Sequence, residues 1–189
     1  MYDRVIGLIL GVGAVVFVLL LAGVGSAALT DDPPEVSPYV SGATTTAPSG
    51  GATFVISAVA FGDDGYVEIT NVGDGAGSLD GHWVCQFPAY GGISGTLEPG
   101  ETTRFAVESG GFGGLSEGSG EIGLYTASGF DDPDLIIAYV QWGEPGQARS
   151  GTAAQAGVWT AESVVDAAGA AMIIATEDVP TSADGWSAG

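Results

Sequence analysis

The residue types that could do chemistry begin with a serine. Residues 114–118 read GLSEG and match the GxSxG nucleophile elbow, in which Ser116 would attack an acyl carbon. That motif needs a strand–turn–helix context and a histidine later in the chain. The sole histidine, His82, comes earlier, and a strand is predicted after the motif. An exported enzyme would require Ser116 or His82 to line a pocket, and the sequence predicts no catalytic residue.

A second glycine-rich motif is the GxGxxG pattern at residues 118–123. A dinucleotide fingerprint of this kind must follow a strand and open a helix, whereas this segment leads into a predicted strand. No cofactor is therefore predicted. His82 lies beside Trp83 in another predicted strand and shows no partner for general-base catalysis, so we interpret it as a strand-edge or core histidine.

Metal binding has two possible forms. One histidine and one cysteine are too few for a zinc site. Calcium prefers oxygen ligands, and two acidic loops supply the candidates, although no EF-hand spacing is present. These candidates are Asp63, Asp64, Asp131, Asp132 and Asp134. Acidic residues are also common turn formers, so no metal site is predicted, and a calcium-dependent adhesive module remains the alternative hypothesis.

The charge balance excludes several partners. The chain has 23 acidic and three basic residues, a formal net charge of -20, and no lysine. Nucleic-acid binding depends on neutralising phosphates with Lys and Arg, so DNA and RNA are excluded as partners. The acidity is typical of a solvated surface or of adaptation to a saline habitat. The single cysteine, Cys85, allows no intramolecular disulfide and is predicted to be a small buried hydrophobe.

The N-terminal segment predicts a membrane location. Residues 5–29 carry no charge and exceed the roughly 20 residues that a helix needs to cross a bilayer core. We predict a transmembrane helix, with the membrane as its partner. A cleaved signal peptide, and so a secreted protein, is the alternative, because residues 26–28 are small. Arg4 precedes the run and acidic residues follow it, which places the N-terminus in the cytoplasm and the rest of the chain outside.

Three regions follow from these patterns. Residues 1–29 form the anchor or signal segment. Residues 30–52 are rich in Pro, Thr, Ser and Gly and predict a disordered stalk. Residues 53–189 contain the folded domain.

Alternating and β-branched runs predict seven short strands in this domain, separated by Gly-rich turns, which is typical of a β-sandwich. The runs lie at residues 54–61, 66–72, 82–87, 102–108, 121–126, 135–142 and 171–176. Pro88 is expected to end the third strand. Residues 151–170 are rich in alanine and could hold one short helical turn, but their Gly and Trp content favours a long loop held by Trp159.

The ordered set of motifs resembles the lamin-tail domain family of exported prokaryotic proteins. The resemblance lies in a YVEITNVG strand, an LDGHW corner, an LEPGE turn and a late GEIGL strand, at residues 66–73, 79–83, 97–101 and 120–124. His82 departs from the family pattern, in which Gly runs directly into Trp, and the insertion would fit a local bulge. The resemblance implies an all-β, immunoglobulin-like β-sandwich.

The same resemblance implies a non-catalytic module outside the membrane, for binding or for cell-envelope structure. Its partner would be an unidentified protein or envelope component. The shared residues are ones that form the fold, so the resemblance transfers no ligand site. The four tryptophans are predicted to pack in the core or to hold loops rather than to stack on carbohydrate or anchor an interface.

Overall fold

β-strands dominate residues 50–189, which are the residues that the computed structural model describes. The strands are β1 Phe54–Ala60, β2 Tyr66–Asn71, β3 Gly77–Ser78, β4 His82–Gln86, β5 Ala89–Ile93, β6 Thr96–Leu97, β7 Thr102–Ala106, β8 Gly120–Tyr125, β9 Ile136–Trp142, β10 Met172–Ala175 and β11 Trp186–Ala188. One α-helix, α1, spans Ser150–Ala156, and 3₁₀ turns span Val107–Gly110 and Ala183–Gly185.

Two antiparallel sheets contain most of these strands. The first sheet has the order β11-β10-β1-β2-β7, and the second has the order β5-β4-β8-β9. The short strands β3 and β6 pair with each other. Within residues 50–189 the predicted β-strand character is confirmed, and the arrangement is compatible with a β-sandwich.

Side chains from both sheets contribute to one hydrophobic core. In β2 the alternation that predicted the strand also sets its burial, because Val67 and Ile69 are buried while Glu68 between them is not. In β8, Ile122 and Leu124 are fully buried. Successive side chains of a strand point to opposite faces, so each sheet presents one face to this core and one away from it.

The seven predicted strands all correspond to observed ones, but the prediction missed β3, β5, β6 and β11. Strand β4 ends at Gln86, and after Phe87 and Pro88, joined by a cis peptide bond, the chain returns at once as β5. Strand β5 contains two glycines, so it lacks the apolar–polar alternation that identifies a strand in the sequence. Gly91 is needed because a Cβ there would lie 2.6 Å from the Phe105 ring of β7.

At the corner before β4, His82 follows Gly81 and begins the strand. The backbone N–H of His82 donates to the Leu79 carbonyl at 2.9 Å, and Gly81 adopts a φ of 84°, which favours glycine. The β4–β5 pairing then runs from His82 without a register shift. The expected bulge is therefore wrong. The His82 ring packs edge-on against Phe54, with centroids 5.5 Å apart, as expected for a histidine at the core.

Residues 151–170 contain both a short helix and a loop held by Trp159, the two structures considered for this segment. The expectation of a loop is wrong for α1, which spans Ser150–Ala156. The role of Trp159 is confirmed, because this side chain is buried and its indole N–H donates to the Ser163 carbonyl at 2.9 Å.

The predicted membrane segment and most of the predicted stalk lie outside the described residues. Within residues 50–189, none of the helices has the length and apolar character that crossing a membrane requires.

Asn71 connects three parts of the chain at the end of β2. It is fully buried, and its side-chain oxygen accepts hydrogen bonds from the backbone N–H groups of Thr53 and Gly73 at 3.1 and 3.0 Å. Its amide group donates to the carbonyls of Gly75 and Leu97 at 2.8 and 3.0 Å. All four hydrogen-bonding positions of the side chain are therefore used.

We expect Asn71→Ala to lower the free energy of unfolding by about 3 kcal/mol, because it leaves buried backbone groups without partners. Urea unfolding followed by tryptophan fluorescence measures the effect. Thr70→Val is the control, since it removes only one hydroxyl, which donates to Ser57 on the opposite face of the strand. Equal losses in the two variants would contradict this role for Asn71.

Candidate functional site

The candidate site lies on the face of the second sheet opposite to Val84, which we name the outer face; its residues Cys85 and Tyr125 are buried and belong to the hydrophobic core as well. Alternation along β4 sends Val84 into the core and Trp83 and Cys85 to the outer face. In β8 the outward positions are Glu121, Gly123 and Tyr125. Polar and aromatic side chains therefore lie together on this face of the sheet.

Gly123 lies in the middle of this face, between β4 and β9. It pairs with Cys85 of β4 on one side and with Tyr139 of β9 on the other. A Cβ at Gly123 would lie 2.6 Å from a ring carbon of Tyr125, so the ring occupies the space above the glycine. The same ring packs edge-on against Phe130 at 5.1 Å. The absence of a side chain at Gly123 thus leaves room for the Tyr125 ring, which contacts Phe130 in the loop before β9.

Glu121 is a buried carboxylate at the centre of the face. One of its oxygens accepts hydrogen bonds from the Tyr139 hydroxyl at 2.7 Å and from the backbone N–H of Arg149 at 2.8 Å. Its other oxygen has no hydrogen-bond partner among the described residues. Burial raises the pKa of Glu121, and the two hydrogen bonds and the positive charge of Arg149 oppose that rise only in part.

The Arg149 side chain extends from its hydrogen-bonded backbone toward the surface. Glu121 holds its backbone just before α1 begins, and its side chain is only 14% exposed. The guanidinium lies 5.0 Å from the centre of the Phe87 ring and forms an ion pair with Asp131. Since Asp131 is 87% exposed, the pair lies at the boundary between the buried cluster and solvent.

Cys85 is chemically inactive in this setting. Burial raises the pKa of its thiol to about 11, and the nearby Arg149 offsets only part of the rise. A thiol with this pKa is almost entirely protonated at neutral pH, so it is a poor nucleophile. The predicted role as a small buried hydrophobe agrees with its 2% exposure.

Four aromatic side chains above this cluster form what we name the aromatic surface: Trp83, Phe87, Tyr90 and Phe130. The Tyr90 and Phe130 centroids are 4.8 Å apart, and Trp83 packs edge-on against both at 5.9 and 6.2 Å. Phe87 lies beside the Arg149 guanidinium, which lines an adjoining depression together with Phe130. Phe87 and Tyr90 are 51% and 53% exposed. Exposed groups of apolar side chains often mark interaction sites, which makes this surface the candidate.

A shallow polar depression adjoins the aromatic surface and shares Phe130 with it. It is open to solvent and is lined by Ser128, Gly129, Phe130, Asp131, Asp132 and Arg149. The Asp132 carboxylate accepts the backbone N–H of Asp134 at 3.0 Å, which shapes the loop. The two parts together place rings beside hydroxyl, carboxylate and guanidinium groups.

Ser116, the candidate nucleophile, lines an open pocket with Asp63 and Glu117, and His82 is not among the residues that line it. The Ser116 hydroxyl accepts the backbone N–H of Gly118 at 3.1 Å within its own turn, and β8 rather than a helix follows. His82 lies in β4 against Phe54. The GxGxxG segment leads into β8, as expected.

The calcium candidates lie in two loops. Asp63 and Asp64 are exposed in the turn between β1 and β2, whereas Asp131, Asp132 and Asp134 precede β9. Within residues 50–189, no group of three or more His, Cys, Asp or Glu side chains is arranged to hold a metal ion. In the second loop, Asp131 already pairs with Arg149.

No family model, curated protein sequence or solved structure matches this chain.

Sequence reasoning missed Glu121, Arg149 and the aromatic surface. Phe87 and Tyr90 flank Pro88 in the sequence, and such aromatic residues at a tight turn were a usable signal for an exposed cluster. Three of the four tryptophans are buried as expected, but Trp83 is only half-buried and contributes to the surface. Arg149 was one of only three basic residues, and that rarity was a signal too.

We expect Gly123→Ala to displace the Tyr125 ring and to lower the free energy of unfolding by about 2 kcal/mol. Urea unfolding measures the loss, and near-ultraviolet circular dichroism reports the displaced aromatic rings. Gly92→Ala is the matched control, because Gly92 lies in β5 and the nearest atom to its Cβ would be 4.0 Å away. Similar losses in both variants would contradict the steric role of Gly123.

Glu121 gives a pH-dependent prediction. Because its folded pKa is raised above the ordinary value of 4.5, the stability it contributes is fully present below that pH and is lost as the pH rises through the folded pKa. Glu121→Gln cannot ionise, and its amide oxygen can accept the same two hydrogen bonds. We expect the variant to gain stability relative to wild type as the pH rises from 4.5 through the folded pKa of Glu121.

Urea unfolding of both chains across this range provides the test, and all other carboxylates are common to the two. A stability difference that stayed constant or moved in the opposite direction would contradict the assignment.

Proposed function

We propose that this protein is a non-catalytic extracytoplasmic binding module, with residues 1–29 as its membrane anchor and a lamin-tail-like, immunoglobulin-like β-sandwich as its folded domain. The aromatic surface is the observation that carries the binding role. The motif order at residues 66–124 supports the lamin-tail assignment, and the uncharged run at residues 5–29 supports the anchor.

The composition of the aromatic surface favours binding. Trp, Tyr and Arg are the side chains that most often dominate binding energy, because they bury a large area and also form hydrogen bonds. Trp83, Tyr90 and Arg149 are all present here, and mutual contacts hold the rings in place. Rings already held in place lose little conformational freedom when a partner binds.

The chemistry of the remaining groups supports a non-catalytic role. The raised pKa keeps the Cys85 thiol protonated, and the Ser116 hydroxyl accepts a hydrogen bond in its own turn. Glu121 is buried, and one of its oxygens accepts hydrogen bonds from Tyr139 and from the Arg149 backbone, a structural role in this cluster. The site therefore suits recognition rather than bond cleavage.

The test uses the immobilised full-length chain and fluorescently labelled cell-envelope fragments from the cells that make the protein. The amount of fragment that the chain retains is measured. We expect Tyr90→Ser to raise the half-saturating fragment concentration about tenfold, because one exposed ring is lost from the contact.

Val179→Ser is the matched control. Val179 is 53% exposed, as Tyr90 is, but it lines a separate apolar cleft with Val158 and Trp186. Unchanged retention by the Val179→Ser chain is expected. Equal retention by the two variants, or no retention of envelope by the wild-type chain, would refute the proposal.

A further inference from the structure

We propose that the ligand of the aromatic surface and its adjoining depression is a neutral polysaccharide of the cell envelope. This inference rests on the proposed function and specifies its ligand. Sugar rings carry apolar C–H faces and polar hydroxyl groups on one body. A site for them therefore combines exposed aromatic rings with side chains that form paired hydrogen bonds.

The two halves of the site are joined by Phe130, which belongs to both. On one side it packs at 4.8 Å against the half-exposed Tyr90 ring. On the other it lines the depression with the Asp131 carboxylate and the Arg149 guanidinium. A sugar seated on these rings would have its hydroxyl groups within the reach of the polar pair.

Charge disfavours an anionic ligand. The net charge of -20 repels anionic polymers and anionic lipid surfaces. The depression carries the Asp131 carboxylate, which is paired with Arg149, and the exposed carboxylate of Asp132. A neutral, hydroxyl-rich ligand does not meet this repulsion, and its hydroxyl groups can donate hydrogen bonds to carboxylates.

The size of the site also favours a polysaccharide. A stable protein–protein interface buries about 800 Å² on each partner, contributed by some 20–30 residues. The aromatic surface and the depression together contain nine residues, of which only Phe87 and Tyr90 are large exposed hydrophobics. The depression is also open rather than enclosed, so it can accept a segment within a continuous chain.

The test uses the same immobilised full-length chain with envelope fragments treated in two ways. Periodate cleaves the vicinal diols of sugars, and proteinase digests envelope proteins. We expect periodate to abolish retention and proteinase to leave it unchanged. Retention that survives periodate and is lost with proteinase would identify a protein partner and overturn the polysaccharide. In that case the proposed binding function would stand, whereas failure of untreated fragments to bind would refute the function itself.

A charge-matched pair of variants tests the depression. Asp131→Asn removes a carboxylate beside Phe130, and Asp178→Asn removes one from an exposed position after β10. Both change the net charge by one unit. We expect retention to weaken about tenfold in the Asp131→Asn chain and to stay unchanged in the Asp178→Asn chain. Equal retention by the two chains would exclude Asp131 from the ligand site and overturn the polar half of the inference.

Discussion

The burial of the Glu121 carboxylate is the constraint on which the candidate site depends. A carboxylate removed from water must find hydrogen-bond donors, and Glu121 finds the Tyr139 hydroxyl and the Arg149 backbone N–H. The second of these donors is 28 residues away in the sequence, immediately before α1. The carboxylate thereby fixes the point from which the Arg149 side chain reaches Phe87 and Asp131. This hydrogen bond and the bond from the Ala153 N–H to the Arg149 carbonyl hold the arginine backbone at the start of α1.

The two sheets differ in what they present on the faces turned away from the core. The first sheet carries a polar ladder in which Thr70 donates to Ser57, Ser57 donates to Glu68, and Arg104 pairs with Glu68. Such partly exposed pairs contribute little to stability and need no covering layer. The second sheet instead carries the buried cluster and the aromatic surface, covered in part by the loop before β9. This asymmetry gives the domain one side with a polar ladder and another with partly exposed aromatic rings.

The sequence predicted those parts of the fold that depend on local pattern. Val67 and Ile69 alternate with Glu68 and Thr70, so β2 was visible without knowledge of its neighbours. Strand β5 was hidden because Gly91 and Gly92 carry no side chain, and the reason for Gly91 is the Phe105 ring of another sheet. The site was harder still to predict, because the burial of Glu121 and Arg149 arises from contacts between distant segments. Asp131 was noticed for its charge, but the partner that gives it a role could be found only in three dimensions.

The position of Cys85 has a consequence for how the domain can be observed. Its thiol lies beneath the outer face of the second sheet, beside Gly123, and is 2% exposed. Two copies of the chain cannot form a disulfide through it, and an alkylating reagent cannot reach it, unless the covering layer opens transiently. Because local opening has its own free energy, distinct from that of global unfolding, the modification rate of this one thiol measures that opening. The only cysteine of the chain thus reports the free energy of local opening of the residues that cover it.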